Sequence, residues 1–249
     1  MRGHLQISNL TKSFGGLNAI RDVTMALEPG VRAAVIGPNG AGKTTLFNMI
    51  TGHLSPTAGS IRLDEGELIG LRPGAIVRRG ISRAFQVASL FGTFTVREAM
   101  AAAVLSHRQR LFDLIGAFPA PAAFEHARHI LSLIGLSDVE KSRCDTLSHG
   151  DRKLLDIALA LALEPRILLL DEPTAGMGRD ESRLMIDRIY RLWEAEGMSL
   201  VFIEHDMDIV FGIAEQVFVL RNGALLASGE PAEVRRHPQV IEAYLGSAT

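Results

Sequence analysis

A glycine-rich stretch at Gly37–Thr44, GPNGAGKT, fits the pattern G-x-x-x-x-G-K-[ST]. Glycines in such a loop let backbone N–H groups curve around an anion. An apolar run, Val31–Ile36, precedes the loop, and a helix-like stretch, Thr44–Ile50, follows it. Because a phosphate loop joins a buried strand to a helix N-terminus, where the helix dipole favours negative charge, this context predicts a nucleoside triphosphate site.

Two side chains of this loop have distinct expected tasks. Lys43 is expected to reach the β- and γ-phosphates, and the Thr44 hydroxyl is expected to bind Mg²⁺. The alternative is a glycine-rich turn that contains a lysine by chance. The strand before the loop and the helix after it favour the phosphate site.

Composition narrows the classes of protein. The chain has 249 residues, 47% of them hydrophobic and 22% charged, which is typical of a globular protein with a large core. Its 26 basic and 28 acidic side chains give a net charge of −2, so no nucleic-acid partner is predicted. The single cysteine, Cys144, excludes an internal disulfide and is expected to be a small apolar filler. No run of apolar residues is long enough to cross a membrane.

Hydrophobic periodicity predicts an α/β fold with a mainly parallel sheet, because strands and helices alternate along the chain. Alternating apolar residues at positions 4–8 and 23–27 indicate an antiparallel β-subdomain. Further strands are expected at Val31–Ile36, Ser60–Leu63, Ile81–Phe85, Ile167–Leu170, Leu200–Ile203, Gln216–Leu220 and Leu225–Ala227. Helices are expected at Val96–His107, Ala122–Ile134, Asp138–Arg143, Asp151–Leu163, Asp180–Glu196 and within Pro231–Leu245. Strand signals are missing from about residue 87 to 146, which reads as a helical insertion.

Two carboxylates, Asp171 and Glu172, follow the apolar strand Ile167–Leu170. In a phosphate-loop fold an acid at this end of a strand lies beside the bound Mg²⁺. Asp171 is therefore expected to hold the metal, and Glu172 to act as general base on the attacking water. Two exposed acids at a strand end are the alternative, and the phosphate loop favours the catalytic interpretation.

Polar side chains also follow two other strands. His205 comes after Leu200–Ile203 and can hydrogen-bond a γ-phosphate. Gln86 comes after Ile81–Phe85, and its neutral amide can reach Mg²⁺ or water. On residue type alone, each could be an ordinary surface residue.

A second helix start, at Leu147–Asp151, has anion-binding character. Ser148 suits an N-cap, and Gly150 would let a phosphate approach backbone N–H groups. Two such termini in one chain predict a nucleotide held between two subunits. A well-capped helix is the simpler alternative.

The order of these motifs resembles the ATP-binding subunit of an ABC transporter. Gly37–Thr44 matches the Walker A loop, Gln86 the Q-loop and Leu147–Asp151 the signature loop. Leu168–Glu172 matches the Walker B strand with its glutamate, Ala175–Gly178 the D-loop and His205 the switch histidine. Phe14 matches the aromatic residue that stacks on adenine in this family, although a core aromatic in a β-hairpin is the alternative. The chain departs from the family pattern at His149, Asp151 and Gly178, and Asp151 is expected to point away from the phosphate.

Within that family, the stretches Phe14–Leu17, Ala84–Gln86 and Ile203–Met207 resemble the branched-chain amino acid uptake ATPases. Related systems carry amides, urea and other small polar solutes. The resemblance implies a single ABC ATPase domain over residues 1–249. Its RecA-like core and β-subdomain would comprise residues 1–86 and 151–249, and its helical subdomain residues 87–150.

The resemblance also implies a function and partners. The chain would hydrolyse ATP with Mg²⁺ at the cytoplasmic face of the membrane, paired with a second ATPase subunit of the same or a related kind. Permease subunits would dock near Val87–Thr95, where Leu90, Phe91 and Phe94 offer apolar contacts; the alternative is that these three are buried in the subdomain. A periplasmic or extracellular solute-binding protein would act indirectly. A soluble ABC ATPase and a non-enzymatic regulator are the alternatives.

The expected site residues fall into three groups. The catalytic ones are Glu172, His205, Lys43 and Gln86. The nucleotide-binding ones are Phe14, Gly37, Pro38, Asn39, Gly40, Ala41, Gly42, Lys43, Thr44, Thr45, Ser148 and Gly150. The metal ligands are Thr44, Gln86 and Asp171.

Overall fold

The computed structural model describes residues 3–84, 91–107 and 121–245. In chain order its strands are β1 (Leu5–Phe14), β2 (Leu17–Leu27), β3 (Arg32–Ile36), β4 (Ala58–Leu63), β5 (Gly66–Glu67), β6 (Ile81–Arg83), β7 (Ile167–Asp171), β8 (Ser199–Ile203), β9 (Gln216–Arg221) and β10 (Ala224–Gly229). Its helices are α1 (Lys43–Ile50), α2 (Pro73–Arg78), α3 (Val96–His107), α4 (Pro121–Ile134), α5 (His149–Leu161), α6 (Arg179–Glu196), α7 (Met207–Ile213), α8 (Pro231–Arg236) and α9 (Pro238–Leu245).

The larger sheet has the order β10-β9-β3-β8-β7-β6. Neighbouring strands from β9 to β6 run parallel, and only β10 is antiparallel to its neighbour. Strands β3, β7 and β8 are buried along nearly their whole length, because helices or the smaller sheet cover both faces. The predicted α/β fold with a mainly parallel sheet is confirmed.

Alternation along the strands separates two cores. Ala34 and Leu170 belong to a cluster that includes α5 and α6, whereas Val35 and Leu169 belong to a cluster that includes Phe47 of α1. Successive side chains of a strand point to opposite faces, so each strand contributes to both clusters. The sheet is thereby fixed between two apolar layers, and its carboxyl edge is held in place.

The smaller sheet is antiparallel, with the order β2-β1-β4-β5. Leu5 and Ile7 are buried while Gln6 between them is exposed, as the alternation predicts. Its buried face joins the α1 side of the core. The predicted antiparallel β-subdomain is confirmed, and its first two strands are longer than the alternation indicated.

The segment before the signature loop differs from the sequence prediction. A helix over Asp138–Arg143 is wrong, because the chain forms a 3₁₀ turn at Ser137–Val139, continues as a turn and bend through Ser142, and pairs with Thr95 at Arg143. The carbonyl of Ser142 accepts from Val96 N, and that of Glu140 accepts from Arg97 N. These two carbonyls satisfy the first N–H groups of α3, which have no acceptor within that helix.

Other differences between the predicted and the observed elements are smaller. Helix α2 has no counterpart in the sequence prediction, and β6 ends at Arg83 because its pairing with β7 stops there. Helix α5 begins at His149, two residues before the predicted start. Helices α3 and α4 pack together and onto α5, while the subdomain boundaries at residues 87 and 150 stay predictions.

Candidate active site

The phosphate-type loop between β3 and α1 requires glycine at two positions. A Cβ on Gly37 would lie 2.2 Å from the Leu220 carbonyl oxygen. Gly42 has φ 105°, and a Cβ there would lie 2.6 Å from Ile20 Cδ1. The loop backbone therefore packs closely against β2 and β9 on one side, and its other side is open.

That open side forms a cavity of about 210 Å³ lined by Ala19, residues 39–45 and Glu172. Lys43 lies in this wall and is buried. Its Nζ donates to the carbonyls of Gly37 at 2.6 Å and Pro38 at 3.2 Å. Burial lowers the pKa of Lys43, while the nearby Glu172 and Asp171 carboxylates oppose that shift. The loop thus presents one ammonium group, two threonine hydroxyls and its backbone amides to a single cavity.

Asp171 ends β7 and is held by an arginine that sequence reasoning missed. Its Oδ2 accepts from Arg83 Nη2 at 2.5 Å, and Arg83 Nη1 donates to Asn48 Oδ1 of α1 at 2.7 Å. Arg83 pairs in register with Leu169, two residues before Asp171, so both side chains lie on one face of the sheet. Arg83 therefore links the end of β7 to the helix that follows the loop.

Glu172 and His205, from adjacent strand ends, are in contact. Their side chains are about half exposed, and His205 Nε2 lies 2.7 Å from Glu172 Oε1. An ionised carboxylate only accepts, so Nε2 must carry the hydrogen of this bond. Glu172 itself has φ 49°, and its N–H donates to the Ile203 carbonyl at 3.0 Å. The structure therefore brings together the two side chains expected to act on water.

The start of α5 is capped as the sequence predicts. Ser148 Oγ accepts from Asp151 N at 3.1 Å and donates to Asp151 Oδ2 at 2.8 Å. Gly150 is buried, and a Cβ there would lie 2.6 Å from Glu181 Oε1 of α6. Among the described residues that line the loop cavity, neither Ser148 nor Gly150 occurs.

A lysine that the sequence analysis did not single out ties α5 to the segment after β7. Lys153 Nζ donates to the carbonyls of Glu172 at 3.3 Å, Pro173 at 3.2 Å and Ala175 at 2.6 Å. Burial lowers the pKa of Lys153, and the carboxylate of Glu204 opposes that shift most strongly. The loop that carries Glu172 is therefore fixed from the α5 side.

The remaining predicted residues are the aromatic Phe14, Gln86, and the apolar residues of the proposed docking segment. Phe14 ends β1 and is 48% exposed, with Lys12 Nζ 5.0 Å from its ring centroid, so the alternative of a core aromatic is wrong. Gln86 and Leu90 lie outside the described residues. Phe94 is 39% exposed and packs edge to face on Phe91 at 5.8 Å.

The oxygen atoms at the loop fit Mg²⁺. Within the part of the chain that the structure describes, no group of three or more His, Cys, Asp or Glu side chains is placed to hold a metal alone. Mg²⁺ is usually held by one or two protein oxygens together with substrate phosphates and water. The side chains of Thr44, which lines the cavity, and of Asp171, at the end of β7, suit that pattern.

Comparison with known proteins identifies the family. A family profile described as ABC transporter matches residues 20–175, which carry the loop, the signature region and both strand-end acids. The chain belongs to the ABC transporter family. A second profile, described as branched-chain amino acid ATP-binding cassette transporter, matches residues 224–249.

Two curated relatives of this ABC protein span nearly its whole length. It is 40% identical over 251 residues to the high-affinity branched-chain amino acid transport ATP-binding protein BraF of Pseudomonas aeruginosa, covering 98% of both chains. It is 38% identical over 252 residues to the corresponding LivG protein of Escherichia coli K12, again covering 98% of both chains. The predicted resemblance to the branched-chain amino acid ATPases is confirmed.

A solved ABC cassette has the same fold. The crystal structure of the ADP conformation of MJ1267, an ATP-binding cassette of an ABC transporter, superposes with a TM-score of 0.86 at 29% identity. The match covers 99% of this chain and 100% of that one. The predicted ATPase identity is confirmed, and the chain is the ATP-hydrolysing subunit of an ABC transporter. Among residues 3–84, 91–107 and 121–245, no helix is long and apolar enough to cross a bilayer.

Proposed function

We propose that this ATPase drives import of branched-chain amino acids through membrane permease subunits, acting at the cytoplasmic face of the membrane. The assignment of the solute is supported by the relatives named for branched-chain amino acid transport and by the match of the C-terminal profile. The chemistry rests on one observation, the Glu172–His205 contact at 2.7 Å, since Glu172 also lines the phosphate-loop cavity.

In this proposal the loop of residues 37–45 binds the phosphates of ATP. Lys43 exchanges the carbonyls of Gly37 and Pro38 for the β- and γ-phosphate oxygens, which are better acceptors because they are charged. Thr44 and Asp171 would hold Mg²⁺, with Gln86 as a further ligand, and the ion held there would neutralise phosphate charge. Arg83 orients the Asp171 carboxylate from the side of α1.

Glu172 acts as general base in the hydrolytic step. It accepts a proton from a water molecule as the water oxygen forms a bond to the γ-phosphorus. The bond between that phosphorus and the β–γ bridging oxygen breaks, which yields ADP and inorganic phosphate. His205 donates to Glu172 through Nε2 and so fixes the carboxylate toward the loop.

A second ATPase subunit completes each site. The loop cavity lacks Ser148 and Gly150 among its described lining residues, and both lie at a separate helix start. These residues would bind the γ-phosphate held by the other subunit, and Phe14 would stack on adenine from its exposed position. ATP would then favour the closed pair, and hydrolysis would let it open.

The permease would dock at the segment Val87–Thr95, of which residues 91–95 are described. Phe94 offers exposed apolar surface there, while Phe91 packs partly onto the core behind it. A solute-binding protein outside the cell would reach the ATPase only through the permease. The other candidate solutes are urea, amides and other amino acids.

Solute-stimulated ATPase of the assembled complex tests this function. We expect leucine, isoleucine or valine, presented with the binding protein, to raise the ATPase rate, while urea and acetamide do not. Glu172→Gln should lower both basal and stimulated rates at least about 100-fold, because it removes the general base. Glu194→Gln, an exposed acid on α6, is the matched control and should keep the wild-type rates.

Two outcomes would contradict different parts of the proposal. Stimulation by urea or acetamide alone would reject the branched-chain solute and leave the ATPase assignment intact. Wild-type hydrolysis by the Glu172→Gln complex would reject Glu172 as the base.

A further inference from the structure

Glu204 is a buried carboxylate that the hydrolytic step above does not use. It follows β8 directly, precedes His205 and is only 4% exposed. Burying a carboxylate costs free energy unless hydrogen bonds and nearby positive charge compensate it. Its partners therefore indicate what it does.

Those partners belong to the two loops that carry the catalytic pair. Glu204 Oε1 accepts from Thr174 N at 2.9 Å and from Thr174 Oγ1 at 2.7 Å. Its Oε2 accepts from the backbone N–H of His205 at 3.2 Å. One side chain thus joins the segment just after Glu172 to the residue that contacts Glu172.

The remaining contacts close a ring around the catalytic pair. His205 Nε2 meets Glu172 Oε1, and Glu172 N donates to Ile203 O, the residue before Glu204. Lys153 holds the Glu172 carbonyl from the other side, and its ammonium interacts favourably with the Glu204 carboxylate. Of the two acids in this ring, Glu204 is buried, whereas the Glu172 side chain is partly exposed.

We propose that Glu204 is a positioning residue for ATP hydrolysis, which fixes His205 and the Glu172 loop at hydrogen-bonding distance. The proposal rests on the proposed roles of Glu172 and His205. Glu172 has a left-handed backbone, which is unfavourable for a residue with a side chain and persists only where the surroundings enforce it. Glu204 supplies that enforcement through Thr174, two residues further along.

Glu204→Gln is the sharpest change, because it keeps size and shape. One amide oxygen can still accept from Thr174, but the amide nitrogen would place a donor opposite the His205 N–H. Two facing donors push the His205 backbone away from its present position. Thr174→Val removes only the hydroxyl donor to Oε1, and Thr174→Ser keeps it.

Single-turnover ATP hydrolysis by the full-length chain, with ATP affinity measured separately, tests the proposal. We expect Glu204→Gln to slow hydrolysis about 10- to 100-fold, as misplacement of reacting groups does, while ATP affinity stays within about twofold. Thr174→Val should slow it by less, and Thr174→Ser should hydrolyse at the wild-type rate. Asp208→Asn, an exposed acid on α7, is the matched control and should leave the rate unchanged.

The proposal is overturned if Glu204→Gln hydrolyses ATP at the wild-type rate, or if rate, ATP affinity and Tm fall together. If that variant does not fold, the two Thr174 variants test the proposal instead. Equal hydrolysis rates for Thr174→Val and Thr174→Ser would then overturn it. Wild-type rates in both Glu172→Gln and His205→Ala would reject the proposed catalytic pair instead, which is a distinct result.

Discussion

Burial controls the reactivity of the Cys144 thiol. It is 1% exposed in the core beside α3 and α4. Burial, with a smaller contribution from Asp145, raises the pKa of its thiol from 9.0 to about 11. The buried thiol therefore stays protonated over a wider pH range than a free one, and any stability it contributes is lost only as the pH rises toward 11.

We expect Cys144 to resist a thiol reagent at pH 8 in the native protein. The raised pKa lowers the reactive thiolate fraction about 100-fold, and burial blocks access as well. Labelling by a chromogenic disulfide should therefore be complete in urea and negligible without it over the same time. Equal labelling rates with and without urea would contradict the buried position of Cys144.

Several individual side chains of the site could be predicted from sequence and several could not. Lys43, Asp171, Glu172 and His205 stand at positions that the motif or the end of an apolar strand marks. Arg83, Lys153 and Glu204 act on groups far away in sequence, such as Asp171 or the Thr174 backbone. Nothing in the local pattern of Arg83 or Lys153 distinguishes them from surface charges, so the register of the sheet and the packing of α5 show their roles. Glu204 does follow an apolar strand, but that position alone does not distinguish a buried acid from an exposed one.

Among the secondary-structure elements, α5 depends on the residue just before it, its N-cap. Ser148 is the N-cap and satisfies Asp151 N, which has no acceptor within the helix. Loss of such a cap costs about 1 kcal/mol. The cap therefore stabilises the helix whose start is expected to meet a partner's nucleotide.

Ser148→Ala should lower the free energy of unfolding by about 1 kcal/mol in urea denaturation. Ser137→Ala, at an exposed serine in the preceding 3₁₀ turn, is the matched control and should change it by less than about 0.5 kcal/mol. Identical urea midpoints for the two variants would show that the Ser148 hydroxyl does not cap α5.

Strands with a continuous apolar run were predictable, and short elements without a clear hydrophobic pattern were not. The apolar runs of β3, β7 and β8 mark strands covered on both faces, and the structure has them there. Helix α2 has only six residues and begins at Pro73, so it shows no sustained period. Residues 138–143 have helical composition, but the chain turns and bends at residues 140–142 and Arg143 pairs with Thr95 in an isolated bridge.

In the whole molecule, the main sheet holds the site at its carboxyl edge between two apolar cores. Strand alternation predicts such a sheet, and the motifs predict which side chains line its edge. The two anion-binding helix starts also predict a nucleotide held between two subunits. The separation of Ser148 from the loop cavity of its own chain supports that prediction.

The molar mass of the Glu172→Gln chain in solution, measured by light scattering with and without Mg²⁺ and ATP, tests this central claim most directly. The substitution keeps the loop and Ser148 intact while it blocks hydrolysis, so ATP should hold the closed pair. We predict a monomer of 27.0 kDa without nucleotide or with ADP, and twice that mass with ATP. A chain that binds ATP and still remains a monomer, both alone and mixed with the related ATPase subunit, would contradict the shared site.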